Sequence, residues 1–451
     1  MKKNKKILIK NICIVNEGKS FKGNVVIEKD IIKDIVSDYQ IFRDENFDLV
    51  IDGENKILIP GIIDTHVHFR EPGLTYKGNI YTESRAALAG GITSFFDMPN
   101  TIPPAISMKE IENKINIAKN KSFINYAFYI GATDNNLEEI CAADYSIIPG
   151  IKIFLGSSTG NLKISNEKVI EKIFSLKNIH ILAHCEDDSV INKNLNFFKN
   201  KYSDDLFPYV HKLIRSEEAC VKSTIHAINL AKKYNSMLHI LHVSTAKEVS
   251  IIEKEKLRND FLTAEACIPH IYFTDKDYES LGNKIKCNPS IKTDIDRNSI
   301  IDGLKKGIVD TIATDHAPHT LAEKELPYLS APSGIPSIQF SLLLMLEMVH
   351  QKIFTLEEIV EKMAHNPSRI FGIKNRGFIR KGYFADLVII DFNKKHSFKE
   401  SDILSLCKWS PFAGHIFSSS IEYTFVNGTI LYDNGKIIDN VNNSMLIEFK
   451  R

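Results

Sequence analysis

The chain has 451 residues, of which 43% are hydrophobic and 25% charged, and its formal net charge is +1. These values fit a globular protein with one large fold and an accessory one, and they exclude a strong uniform field for nucleic acid or an anionic membrane surface. A negatively charged ligand must therefore be caught by a few cations placed within a pocket.

The basic start, Met1 to Lys10, resembles the first part of a signal peptide, but Lys10 interrupts the apolar run and no small-residue cleavage site follows. Cys13, Cys141, Cys185, Cys220, Cys267, Cys287 and Cys407 form no Cys-x-x-Cys pair, and their odd number argues against a disulfide framework. No apolar stretch reaches the ~20 residues needed to span a bilayer. A soluble, cytoplasmic protein with a small-molecule substrate and no nucleic-acid or membrane partner is the expectation.

Short β-rich runs open the chain: Ile7 to Val15 before Asn16-Glu17-Gly18, then Asn24 to Glu28, then Leu49 to Asp52 before Gly53. The middle changes rhythm. Candidate strands at Gly61–Asp64, Ile92–Asp97, Asn125–Ile130, Gly150–Phe154, Ile179–Ala183, Met237–Leu241, Leu262–Ala266 and Thr311–Thr314 alternate with helical stretches such as Thr82–Ala89, Lys109–Ala118, Ser216–Tyr234 and Ala246–Glu255. Eight strands alternating with helices predict a parallel (β/α)₈ barrel, the TIM-barrel fold, over residues 59–370. A doubly wound open sheet has the same rhythm, and periodicity alone does not separate the two. The end of the chain returns to strands at Ala385–Asp391, Ile421–Val426 before Asn427-Gly428, and Ile430–Tyr432 before Asp433-Asn434-Gly435. Residues 1–58 and 371–451 are thus expected to form one small β-sandwich domain from both termini.

In a barrel of this kind the functional groups stand at the C-terminal ends of the strands. Those ends carry His66 and His68, Lys152, His184, His242 and Asp315. One histidine after an apolar run is usually a hydrogen-bonded core residue; several at successive strand ends need another explanation. His66 and His68 are two apart, so in a strand both imidazoles point the same way and reach one cation. Imidazole with carboxylate oxygen suits Zn²⁺ and related ions. His239 lies on the opposite strand face from His242, and His180 begins its strand, so both are set aside. Cys185 reads as a small buried thiol. Asp315, beside such a metal, has the chemistry to take a proton from bound water and return it to a leaving nitrogen. In Thr314-Asp315-His316-Ala317-Pro318-His319, His316 alternates away, which leaves His319 as the candidate for touching substrate.

Gly156-Ser157-Ser158-Thr159-Gly160 satisfies the Gly-x-Ser-x-Gly pattern of serine hydrolases. A nucleophile elbow needs a sharp strand-to-helix turn, whereas Asn161 to Ser165 continues as polar loop, and a serine mechanism leaves His66-x-His68 without a purpose. The segment reads as a glycine-rich loop bordering the pocket. Residues 320–335, ending Ala331-Pro332-Ser333-Gly334, are a lid candidate.

These clusters resemble the amidohydrolase superfamily and, within it, the class I-type dihydroorotases. The resemblance rests on Pro60-Gly61-Ile62-Ile63-Asp64-Thr65-His66-Val67-His68-Phe69-Arg70-Glu71-Pro72-Gly73, Asp97-Met98-Pro99-Asn100-Thr101, Gly150-Ile151-Lys152-Ile153-Phe154, the segment around Asp315, and Gly382-Tyr383-Phe384-Ala385-Asp386-Leu387. It implies two zinc ions: one held by His66, His68 and Asp315, the other by His184 and His242, with Lys152 carboxylated and bridging both. It further implies that Arg70, Asn100, Asn288 and His319 grip the carboxylate and ring of the substrate, and that the chain pairs as a homodimer. Arg suits the task because its planar fork binds a carboxylate through two hydrogen bonds. One departure is Asn288-Pro289-Ser290-Ile291-Lys292, where many relatives read Asn-Pro-Pro-Leu-Arg. The implied reaction is interconversion of N-carbamoyl-L-aspartate and L-dihydroorotate in pyrimidine synthesis. Hydantoinases (dihydropyrimidinases) and allantoinases share the metal ligands but generally lack the arginine. A non-catalytic homologue serving another pyrimidine enzyme would lose metal ligands, and this chain keeps all six.

Overall fold

The computed structural model describes residues 6–37, 44–156, 162–258, 261–439 and 443–451. Parallel strands Ile62–Val67, Ile92–Asp97 and Asn125–Phe128 form one arc. Ile130–Gly131, Ile151–Phe154, His180–His184, Met237–Ile240, Leu262–Cys267 and Thr311–Ala313 form the other, again parallel throughout. The arcs meet twice. At Tyr129 the third strand breaks and resumes, with Tyr129 N still donating to Asp97 O at 3.2 Å. At the other seam Val67 bridges His316, and His68 N donates to His316 O at 2.8 Å. Eight strands therefore close into a barrel, with helices such as Ile80–Ala89, Met108–Lys121, Glu217–Tyr234 and Ala246–Lys256 between them.

Its strands are apolar on both faces because both are covered, as parallel sheets require. The interior is filled by Ile63, Phe96, Tyr129, Leu182 and Leu241, which pack against Phe371, Ile447 and Phe449. The last residues of the chain thus plug the end opposite the functional rim: Arg451 donates to the carbonyls of Ile148 and Pro149, just before the strand at Ile151. With the bottom sealed and the barrel filled, the top rim is left to carry a site.

The predicted sheet domain from both termini is present: among the described residues it has nine strands, eight in one hydrogen-bonded path and the ninth, Leu49–Asp52, branching off it to pair with the first. Ile57–Pro60 connects the two ends of the chain, lying parallel to the first strand and antiparallel to Leu387–Asp391. Its core (Ile7, Ile12, Ile14, Val25, Leu58, Leu387 and Phe425 among others) is separate from that of the barrel. Gly61 marks the passage from sheet to barrel, where a Cβ would lie 2.2 Å from Thr93 Oγ1, so no side chain fits. Residues between the C-terminal strands return to the barrel rim, where Trp409 Nε1 donates to His319 O at 2.7 Å. Among the described residues no helix is long and apolar enough to cross a membrane.

Candidate active site

The rim holds a small, partly open cavity. His66, His68, Arg70, Asn100, Lys152, His184, His242, Asn288 and Asp315 all line it. Strand ends deliver most of these side chains, and the backbone is bent to complete the delivery. Arg70, His242 and Asp315 have φ values of 70°, 37° and 47°, a left-handed conformation that costs a non-glycine residue of order 1–3 kcal/mol and collects at functional sites. The predicted loop at Gly156–Gly160 is described only at Gly156; Ser157, Ser158, Thr159 and Gly160 lie outside the described residues.

Two groups of ligand-type atoms face the cavity. In the first, Asp315 Oδ1 stands 3.3 Å from His66 Nε2 and 3.1 Å from His68 Nε2, and the three residues' ligand atoms lie within 4.8 Å of one another. In the second, His184 Nδ1 and His242 Nε2 are 2.9 Å apart. His66 and His242 link the groups, with ring centroids 5.4 Å apart.

The outward nitrogens show what these clusters are built to hold. His66 Nδ1 donates to Glu265 Oε1 at 2.7 Å, His68 Nδ1 to Asn100 Oδ1 at 2.7 Å, and His184 Nε2 to Glu186 Oε2 at 3.0 Å. Each bond spends the ring's one proton in the neutral state, so the inward nitrogen is left with a lone pair. Burial favours that neutral state, lowering His184 and His242 and taking His68 down to about 4. Lone pairs of His66 and His68 then converge on the Asp315 carboxylate. Acceptors facing an anion at these distances repel one another unless a cation lies among them. The second group gives a related signal, because His242 Nδ1 is buried with no hydrogen-bond partner among the described residues. Outer partners that fix the tautomers of ligating histidines are a regular feature of metal sites. The donor set fits divalent metal.

Lys152 lines the same cavity, 1% exposed, with its ammonium 4.6 Å from the centre of the Phe154 ring. Burial lowers it to about 8, which brings the amine towards the neutral, nucleophilic form.

The proposed substrate contacts divide. Arg70 reaches the cavity with Nε donating to Pro318 O at 3.1 Å, and Asn100 and Asn288 also line the wall. His319 stands behind this layer, fully buried. Its Nδ1 accepts from Lys77 Nζ at 3.0 Å, and its Nε2 faces both Ser333 O and the Arg70 guanidinium, each 3.0 Å away. With Nδ1 accepting from Lys77, Nε2 carries the proton for Ser333 O and has no lone pair for Arg70, so His319 packs against the guanidinium and does not itself line the cavity. Ser333 and Gly334 do, from the segment read as a lid. That segment is stapled down: Lys324 Nζ donates to the carbonyls of Lys286, Pro332 and Gly334, and Lys286 Nζ to those of Tyr328 and Ala331.

Sequence reading missed Glu265, Glu186 and the paired His316 and Glu83, which are 2.8 Å apart. Glu265 left a signal, being a carboxylate in the middle of the apolar strand Leu262–Cys267. Glu186 left none that separates it from an ordinary loop acid.

A filled parallel barrel with metal-ligand clusters on its rim defines a metal-dependent hydrolase architecture, and comparison agrees. Residues 57–431 match the amidohydrolase family. The chain belongs to that family and is a hydrolase acting on cyclic amides. It is 33% identical over 439 residues to the dihydroorotase of Methanosarcina acetivorans, covering 94% of this chain and 92% of that one. It is 34% identical to the dihydroorotase of Methanosphaera stadtmanae, over 90% and 92% of the two chains. Among solved structures, the L-hydantoinase (dihydropyrimidinase) of Arthrobacter aurescens superposes with a TM-score of 0.93 at 24% identity, covering 98% of this chain and 99% of that one. At that identity the likeness speaks for the fold.

Proposed function

We propose that the chain is a dihydroorotase, interconverting L-dihydroorotate and N-carbamoyl-L-aspartate in pyrimidine synthesis with two Zn²⁺ ions. The observation that carries this reading is Arg70: a buried guanidinium on the cavity wall, two residues beyond the His66-x-His68 pair. An uncharged ring offers such a group only single neutral carbonyl acceptors, whereas a ring carboxylate gives it an anionic partner for two parallel hydrogen bonds. The dihydroorotase relatives support the same choice.

In this proposal His66, His68 and Asp315 would hold one ion and His184 and His242 the other, with Lys152, carboxylated on Nζ, adding anionic oxygen donors. Bound there, the metals supply a water ionised near neutral pH and polarise the amide carbonyl. The chain does the rest. Arg70 anchors the substrate carboxylate, and Asn100 and Asn288 orient the ring. Addition of CO₂ to the neutral Lys152 amine, with loss of one proton, replaces a cation that would repel two dications with a carbamate anion bearing two oxygens. Asp315 takes the proton of the attacking water on its carboxylate and passes it to the departing ring nitrogen; ring closure reverses both transfers. Glu265, Glu186 and Asn100 keep the histidine rings in the tautomers that face inward.

The test compares L-dihydroorotate, dihydrouracil and allantoin on purified, zinc-loaded protein. Dihydroorotate turnover well above the other two supports the reading. Preference for dihydrouracil or allantoin would replace it with a hydantoinase or allantoinase function on the same metals.

A further inference from the structure

Asn288 lines the cavity, but a primary amide is ambiguous: it can present either its oxygen or its NH₂ to a ligand. Here a residue outside the cavity removes the choice. His211 opens the short helix His211–Ile214, on the excursion that follows the strand His180–His184. It is 2% exposed and does not line the cavity. Its Nε2 lies 2.9 Å from the carbonyl oxygen of Cys287, and a carbonyl only accepts, so Nε2 carries the proton. The Asn288 amide atom 3.1 Å from that same N–H must then be Oδ1. Nδ1, left with a lone pair, accepts from the Tyr328 hydroxyl at 2.8 Å, so every polar atom of the ring is used and the tautomer is fixed. Burial holds the ring neutral, which keeps this pattern through the physiological pH range.

We propose that His211 is a positioning residue for substrate selection: by engaging Asn288 Oδ1 it turns the Asn288 NH₂ towards the cavity, so that this wall accepts only an acceptor oxygen of the ligand. Alongside the Arg70 guanidinium, the wall then presents donors to the bound ring and its carboxylate. The same histidine ties Asn288 to Tyr328, and so to the stapled segment that supplies Ser333 and Gly334. One side chain therefore sets both the polarity and the seating of the wall. The inference deepens the dihydroorotase reading and rests on it for the identity of the ligand.

A double-mutant cycle tests it. His211→Phe keeps an aromatic ring and removes all three hydrogen bonds; His211→Gln restores an NH₂ able to donate to the two oxygens. With dihydroorotate, His211→Phe should raise KM roughly tenfold with kcat changed less than about threefold, the loss expected of one hydrogen bond to a charged ligand. His211→Gln should recover most of that loss, and zinc content and circular dichroism should match wild type in both. In an Asn288→Ala background His211→Phe should move KM less than about twofold, because no amide remains to orient. An unchanged KM in the first background, or an equal rise in both, overturns the proposal and leaves His211 a structural residue. The reaction assignment fails separately. If wild type does not open dihydroorotate that reading falls, and the cycle is then read on whichever of dihydrouracil or allantoin the wild type opens.

Discussion

Replacing Glu265 by Gln separates what the chain contributes to the metal centre from what the metals do. Glu265 is fully buried; Oε1 accepts from His66 Nδ1 at 2.7 Å and Oε2 from Thr65 Oγ1 at 3.2 Å. Burial opposes its ionisation, but the ring of His66 beside it holds the carboxyl well below the usual carboxylate range. A depressed folded pKa means that its contribution is present at neutral pH and lost only as pH falls through that value. Gln keeps the shape and removes the charge, so the His66 bond loses its ionic partner and His66 Nε2 becomes a poorer ligand. A hydrogen bond to a charged group contributes about 1.5–3 kcal/mol, and about 1.4 kcal/mol is tenfold in affinity, so zinc binding should weaken roughly 10–100-fold. Chelator competition on the purified protein measures that directly. Activity should return to most of the wild-type level at saturating zinc, because no cavity-lining group has changed. Unaltered zinc affinity, or lost activity at full zinc occupancy, would refute the positioning role.

Other consequences follow from the same geometry. Lys324→Met leaves the buried carbonyls of Lys286, Pro332 and Gly334 without their shared donor, which at about 1–3 kcal/mol per unsatisfied group should lower stability in urea by several kcal/mol and open residues 325–332 to limited proteolysis. Lys114→Met strands the Asp97 carboxylate, whose Oδ2 is 2.6 Å from Lys114 Nζ and whose Oδ1 holds Phe69 N at 2.8 Å; breaking a buried pair from one side costs about 3–5 kcal/mol, to be read by chemical denaturation. Ring opening creates a second carboxylate and releases a proton, so the equilibrium ratio of N-carbamoyl-aspartate to dihydroorotate should rise about tenfold per pH unit above the ordinary carboxylate pKa, measured by approach from both sides. Ser158→Ala should leave turnover unchanged, whereas a serine-hydrolase mechanism requires its loss.

The strand ends were legible because a parallel barrel buries its strands on both faces: apolar runs stand out, and the first polar residues after them mark the rim. Period-two alternation then placed His66 and His68 on one cavity and set His239 apart from it. What the sequence could not show depends on partners far along the chain. Glu265 meets His66 across 199 positions, and His211 meets Asn288 across 77, so neither spacing carries a local pattern. His319 was expected at the substrate, but it lies behind Arg70, where the chain turns through Pro318 and packs against Gly334, whose Cβ position would lie 2.9 Å from His319 Nε2. The candidate lid failed to look like a wall because two lysines pin it from within, and a lysine in a polar segment reads as solvated until its carbonyl partners are seen. The return of Trp409 from the C-terminal strands to the rim had no sequence signal at all.

The central claim is that this metal centre serves a ring bearing a carboxylate, and Arg70→Ala tests it most directly. The measurement is kcat/KM for L-dihydroorotate and for dihydrouracil, on wild type and variant at equal zinc occupancy. Losing a paired, charge-assisted contact of about 3–5 kcal/mol should cut the dihydroorotate value roughly 10²–10³-fold or more and leave any dihydrouracil value nearly unchanged. Equal losses on both rings, or a dihydroorotate rate that survives the substitution, would contradict it.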